Sequence, residues 1–309
     1  MNECCCNEKS CSSSGVSVVS TVLSLKDILG AWKVRWGIGR DNYKVTPGLY
    51  AVGNPDDRSP VLVSANYKLT FDILRKNLSC LDCWILILDT KGVNVWCAAG
   101  KGTFGTNELV NRIESTRLKN IVNHRKIVIP QLGAVGISAH EVARLTGFSV
   151  TYGPVRASDI KKFIASDYTA TKEMRTVKFT MLDRFVLTPI EFVVAVKISI
   201  FVFGVLFLLN LVATRPFGIE DFFVYSAAVI AGTVFTPIFL PFIPGRAFAF
   251  KGWLLGAITT SVIVWNFGWF ESPYLLLGIR VYAYTTIEFG FCRYEFYRGK
   301  YIYVIFRRG

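Results

Sequence analysis

Trp84-Ile-Leu-Ile-Leu88 is an unbroken run of large apolar side chains that ends at Asp89. A strand with one wet face alternates apolar and polar residues, so an uninterrupted run of this length points to a strand covered on both faces, as in the middle of a parallel sheet. The segments around it fit that frame. Upstream, Pro60-Val-Leu-Val-Ser64 reads as a second short buried strand, followed by a helical stretch over Leu69 to Asn77. Downstream, Thr106 is placed to cap a helix with Glu108 in its first turn and with Leu109, Ile113 and Ile121 near one face. Ile127-Val-Ile129 and Phe148 to Tyr152 read as strands, with helices over Ser138 to Leu145 and Ser158 to Ala165, the latter capped by Ser158. Strands that alternate with helices predict an open α/β sheet, whose ligands bind beyond the carboxyl ends of the strands. The loops there are Asn94 to Gly105, Gln131-Leu-Gly-Ala-Val-Gly136 and Tyr152-Gly-Pro-Val-Arg156.

The 309 residues are 52% apolar, and the excess is concentrated after Pro189. Ile198 to Ala213, extended by the snorkelling Lys197, approaches the roughly 20 residues a bilayer core requires. Phe222 to Phe242 is an uncharged run of 21, and Trp253 to Phe270 adds 18 with Trp253, Trp265 and Trp269 as interface anchors. Tyr274 to Phe291 is a weaker fourth span because it carries Arg280 and Glu288. The pattern predicts an α/β domain followed by an all-α transmembrane domain. Its boundaries are a Cys-rich disordered tail (1–20), the α/β domain (21–170), a linker (171–188), about four spans (189–292) and a tail (293–309). Lysines and arginines favour the ends before the first span, the second connection and the C-terminus, which puts the α/β domain and the tail in the cytoplasm of a multi-pass inner-membrane protein. The polar N-terminus offers no cleavable signal peptide.

The net charge of +13 rests mostly on the first part, where 25 basic and 16 acidic residues precede Pro189, and it suits a domain beside anionic lipid. No recognition motif or basic run supports binding to nucleic acid. In the cytoplasm the eight cysteines are expected to be reduced.

Gly100-Lys-Gly102-Thr-Phe-Gly105 fits G-x-G-x-x-G between a strand and a helix, the context of a dinucleotide site. The acid that should hold a ribose about 20 residues on is missing, since that region reads Asn120, Asn123 and His124. A phosphate-cradling P-loop fails outright at Val95 and Gly102. Histidine ligation is poorly supplied, because the only two, His124 and His140, fit no H-E-x-x-H pattern. Cys80 and Cys83 have redox or zinc spacing, but one pair cannot close a tetrahedral site. Cys4, Cys5 and Cys6, with Cys11, read either as a soft-thiolate trap for mercuric or cuprous ion or as an incidental or acylated tail. Cys97 stands apart: Lys101 and the nearby helix N-terminus should depress its pKa and favour thiolate. Taken alone, a small buried residue is the simpler reading of it.

The stretch Asn94-Val-Trp-Cys-Ala-Ala-Gly-Lys101 resembles the signature of the mercury-methylating corrinoid proteins. So do Gly48 to Asn54, Asn66 to Asp72, Pro130 to Gly133, His140-Glu141, Tyr152 to Ala157, Arg184 to Pro189 and Pro244 to Phe248, so the likeness runs from about residue 45 to about residue 255. From Arg280 onward it is loose. The resemblance implies a Rossmann-like corrinoid domain similar to that of the corrinoid iron-sulfur protein, with Cys97 as lower axial ligand of the cobalt of a cobalamin. It implies a pocket shaped by Asn94 and Trp96, with Val95, Ala98, Ala99 and Lys101 also at the cofactor, room for the corrin at Gly100, Gly102 and Gly105, and Thr70, Gly133, Tyr152 and Gly153, on to Arg156, along the rim or nucleotide tail. The implied activity is a methyltransferase that passes methyl from a donor such as methyltetrahydrofolate, through cobalt, to mercuric ion, with a two-cluster ferredoxin as electron donor. The alternatives are a corrinoid methyl carrier of one-carbon metabolism with another acceptor, and a membrane-anchored dinucleotide-binding sensor.

Overall fold

The structure is a computed structural model that describes residues 16–212, 219–245 and 248–267. The chain divides into two compact units, Met1–Val34 with Gly39–Lys178, and Arg35–Ile38 with Phe179–Gly309. The first is built on six strands, β1 (Ser17–Val19), β2 (Gly48–Val52), β3 (Val61–Ala65), β4 (Cys83–Leu88), β5 (Lys126–Ile129) and β6 (Ser149–Tyr152). Its helices are α1 (Leu25–Arg35), α2 (Lys68–Lys76), α3 (Val95–Gly100), α4 (Thr106–Ser115), α5 (Ala139–Thr146) and α6 (Ile160–Ala165).

Every residue of β4 is buried, as its unbroken apolar run requires. Trp84, Leu86 and Leu88 join a core with α3, α4 and α5 through Ala98, Leu109, Ile113 and Val142. Cys83, Ile85 and Ile87 face the other way, into a core with α2 and α6 through Phe71, Leu74, Ile160 and Phe163. The sheet is therefore sandwiched between two helical layers, in the order β1-β2-β4-β3-β5-β6.

The four strands β4-β3-β5-β6 are parallel, as the sequence predicts, but the sheet as a whole is mixed. β2 runs antiparallel to β4, and β1, from within the stretch expected to be tail, pairs parallel to β2. A strand's direction depends on its connections, which local periodicity does not report. Two caps also differ. Gly105 precedes α4 with no side-chain cap, and the Thr106 hydroxyl instead accepts from the Ser138 amide at 2.9 Å, tying the start of α4 to the start of α5. Ser158 sits in a single 3₁₀ turn before α6 rather than at its cap.

The second unit is helical: α7 (Met181–Phe185), α8 (Thr188–Val212), α9 (Ile219–Ile230), α10 (Thr236–Phe239) and α11 (Phe248–Phe267). The expected all-α domain of four spans is corrected here. Among the described residues one helical stretch, Met181–Val205, is long and apolar enough to cross a membrane, with a shorter apolar helix at Tyr225–Phe239. The run from Phe222 to Phe242 is not one regular helix, because a π turn at Ala231–Phe235 separates α9 from α10. Pro237 has no amide to donate back and its ring crowds the carbonyl four residues before it, so the ladder widens. Two hydroxyls add bonds to carbonyls of the preceding turns, Thr233 Oγ1 donating to Val229 at 2.7 Å and Thr236 Oγ1 to Ala231 at 3.0 Å. The third expected span continues past Phe267, and the fourth and the C-terminal tail lie wholly outside the described residues, as do Cys4, Cys5 and Cys6.

Candidate functional site

Strand β3 is followed by α2 and leads to β4 on one side, whereas β5 is followed by α5 and leads to β6 on the other. The chain thus leaves these adjacent strands in opposite directions, and a crevice opens at their carboxyl ends. A cavity of about 300 Å³ occupies it. Ser64 and Thr70 border it from β3 and α2, Ile129, Pro130 and Leu132 from β5 and the loop after it, and Gly153 and Val155 from the segment after β6. Asn94, Val95 and Trp96, at the start of α3, form its remaining wall.

That wall is held from two sides. The side chain of Asn66, 1% exposed just beyond β3, accepts from the Thr90 amide at 3.1 Å, the Thr90 hydroxyl at 2.8 Å and the Gly92 amide at 2.9 Å. Its Nδ2 donates to Asp89 at 3.0 Å, so one amide organises the whole loop from β4 to α3. Asn94 then caps α3, its Oδ1 accepting from the Cys97 amide at 2.9 Å. On the other side Ala98, Ala99 and Phe104 are packed into the core. A Cβ at Gly133 would lie 2.5 Å from the Phe104 ring, and one at Gly136 would overlap the Phe104 carbonyl oxygen and lie 3.2 Å from the Ala99 Cα. These glycines let the loop after β5 close onto α3.

The site residues expected from sequence therefore separate. Thr70, Asn94, Val95, Trp96 and Gly153 come together around the cavity. Ala98 and Ala99 face the core, Gly133 serves packing, and the Tyr152 hydroxyl donates to the Ile137 carbonyl at 3.1 Å. Gly100, Lys101 and Gly102 are exposed; a Cβ at Gly100 would meet nothing within 4 Å, and Gly102 is needed for its φ of 77° in the turn that closes α3. Cys97, in the first turn of α3, is buried beside the cavity without lining it. Burial pushes its thiol above the ordinary range, and Lys101, Arg40 and a hydrogen bond with Asn94 offset this only in part. The expectation that Lys101 lowers the Cys97 pKa below its ordinary value is thus corrected, since desolvation outweighs the lysine. Cys83 is pushed up to about 12 by burial and by Asp82, whereas Cys80 is exposed. Among the described residues no group of three or more His, Cys, Asp or Glu could hold a metal ion. Asn66 was missed by sequence reasoning; its signal was an amide side chain directly after a buried strand.

Comparison with known proteins bears on this unit. Residues 27–164 match the family model described as CO dehydrogenase/acetyl-CoA synthase delta subunit. The acetyl-CoA decarbonylase/synthase complex subunit gamma of Methanopyrus kandleri is 35% identical over 130 residues, which are 41% of this chain and 28% of that protein. Subunits gamma of Methanocaldococcus jannaschii and Archaeoglobus fulgidus are each 32% identical, over 129 and 131 residues, covering 40% and 42% of this chain and 25% and 27% of theirs. The chain thus spans less than a third of the length of these relatives. The matches overturn the resemblance to the mercury-methylating proteins: the likeness is to subunits of the CO dehydrogenase/acetyl-CoA synthase system. The assignment as a mercury methyltransferase falls with it, and mercuric ion as acceptor too.

Proposed function

We propose that the α/β unit is a corrinoid-binding module that carries a methyl group in one-carbon metabolism and delivers it to an acceptor within a protein complex. One observation carries this reading. The cavity at the reversal of strand order lies wholly within residues 27–164, the stretch that matches the family model. The relatives named as subunits of an acetyl-CoA decarbonylase/synthase complex supply the expectation of protein partners.

The lining fits part of a large cofactor of this kind. Apolar side chains such as Val63, Leu74, Val95 and Leu132 supply contact area, and Ser64, Thr70 and Asn94 supply hydrogen-bonding groups for a fringe of amides or a nucleotide tail. Bound there, a corrinoid would contribute the metal centre that accepts and releases methyl. The chain's own part is to orient it and keep water from one side, with Trp96 and the segment Gly153–Val155 among the lining groups. Cys97 is the residue that would hold the metal of such a group, a soft sulfur one residue from the lining Trp96. Ligation there must release the thiol proton against burial, a cost that the nearby Lys101, Arg40 and Asn94 reduce. A two-cluster ferredoxin as reductant and methyltetrahydrofolate as donor complete the proposal.

The test is the visible spectrum of the purified full-length chain mixed with cobalamin under reducing conditions. Retained corrinoid whose spectrum changes in Cys97→Ala is the expected result. Retention with an unaltered spectrum in that variant would remove Cys97 from the site and leave the module. Failure to retain any corrinoid would end the proposal.

A further inference from the structure

Helix α1 carries its apolar face on the wrong side for a core helix. Leu25, Leu29 and Trp32 recur at helical spacing and are 78%, 68% and 58% exposed, with Ile28 beside them and Trp36 and Ile38 continuing the stripe. The opposite face is fastened to the α/β unit. Val34 is buried there, and a Cβ at Gly30 would lie 2.7 Å from the Tyr43 hydroxyl. Asp27, on the same side, pairs with Lys68 at 2.6 Å and with Arg75 at 2.8 Å, and Asp72 bonds both cations in turn at 2.8 Å. Arg75 also donates to the carbonyls of Ser20 at 2.6 Å and Val22 at 3.1 Å. Ser24 and Asp27 cap the helix reciprocally. With the inner face so fixed, the helix cannot roll its leucines and tryptophans inward.

We propose that the outer face of α1 lies in the interface of an anionic lipid bilayer. Two observations favour lipid over a protein partner. Lys26 and Lys33 are exposed along one border of the apolar stripe, at the position from which lysine stems snorkel toward headgroups. Between Ser20 and Lys44 the chain has five basic and two acidic residues, and Asp27 is already paired with Lys68 and Arg75, so the surface offered outward is cationic. Because α2 both pairs with α1 and lends Thr70, Ile73 and Leu74 to the cavity, a docked α1 would hold the cavity at a set orientation to the bilayer. This inference does not depend on which cofactor the cavity takes.

The test uses the full-length chain in vesicles of mixed phosphatidylcholine and phosphatidylglycerol with brominated acyl chains, and compares its tryptophan fluorescence with that of Trp32→Phe. The emission lost in the variant is expected to be quenched by the brominated lipid and shielded from aqueous acrylamide. Reversing Lys26 and Lys33 to glutamate is expected to abolish most of that lipid quenching, with far-ultraviolet circular dichroism unchanged. Quenching of Trp32 by acrylamide would overturn the proposal. So would shielding from both quenchers, the mark of a second copy or another protein on this face, and so would lipid quenching indifferent to the charge reversal.

Discussion

Replacing Asn66 with alanine tests whether one side chain positions the wall of the cavity. The substitution removes the acceptor of two backbone amides, Thr90 and Gly92, and the donor to Asp89, while the Thr90 hydroxyl keeps its bond to the Val93 carbonyl at 2.6 Å. An amide left buried without a partner costs about 1–3 kcal/mol, and Gly92 is partly reachable by water, so the loop should lose about 2–4 kcal/mol. At about 1.4 kcal/mol per tenfold, local opening becomes more frequent by a factor of roughly 30 to 1,000. Amide hydrogen exchange is the right assay, because it reads one loop in a two-unit chain where a single unfolding free energy is ill defined. Exchange should accelerate by that factor over Thr90 to Trp96 and remain as slow as before over Trp84 to Leu88. Asn66→Asp should behave differently: it keeps the acceptor but sets a carboxylate against Asp89, at the position now 3.0 Å from it. That repulsion raises the pair's apparent pKa in the fold, so the loss should be present at pH 7 and relieved as the pH falls and one carboxyl is protonated. Exchange in Asn66→Ala within about threefold of the wild type over Thr90 to Trp96 would refute the reasoning.

Gly136→Ala should cost about 2–3 kcal/mol in thermal or urea unfolding of the α/β unit, because its methyl meets the backbone of Phe104 and Ala99, which cannot rotate away; Gly100→Ala, facing open space, should be neutral or gain up to about 1 kcal/mol. For Asp27, burial opposes ionisation, but Lys68, Ser24 and Arg75 together hold its carboxyl well below the usual carboxylate range. Its stabilisation is thus present above the unfolded pKa of about 3.9 and lost as pH falls below it, so Asp27→Asn should lower stability by about 1–3 kcal/mol at pH 7 and flatten the acid limb of a melting-temperature profile. Cys97, raised by burial, should be alkylated slowly at neutral pH with a midpoint above the ordinary thiol value, and Lys101→Ala should move that midpoint higher, as read by peptide mapping after iodoacetamide treatment.

The four parallel strands were legible because burial on both faces leaves an unbroken apolar run, plainest at Trp84 to Leu88. β2 was not, because Gly48–Val52 carries no local mark of running against its neighbour. α1 was legible but was not read: Leu25, Leu29 and Trp32 recur at helical spacing, and Ser24 with Asp27 three residues on marks its start. The six residues of α3 read as a loop, since a helix so short is made by its Asn94 cap and its packing rather than by propensity. The second span, Phe222 to Phe242, was overdrawn because a count of uncharged residues passes over Pro237. At the site, Asn94 to Trp96 could be found because ligand-facing loops lie just beyond the carboxyl ends of parallel strands. The state of the Cys97 thiol could not, because charge neighbours are visible in a sequence and desolvation is not.

Burial of Cys97 is a product of the same packing that builds the cavity wall. α3 is fixed at its start by the Asn66-organised loop and at its end by Phe104 seated over Gly133, and between these anchors Ala98 and Ala99 drive one face of the helix into the core. A thiol in the first turn of such a helix is carried below the surface with it, and its pKa rises as a consequence. A helix held more loosely would expose the sulfur and lower its pKa, but would surrender the fixed placement of Asn94, Val95 and Trp96 that gives the cavity its shape. Loosening the wall through Asn66→Ala should therefore make Cys97 faster to alkylate while making the cavity a poorer site. Opposite movement of these two properties in one variant is what a shared scaffold requires.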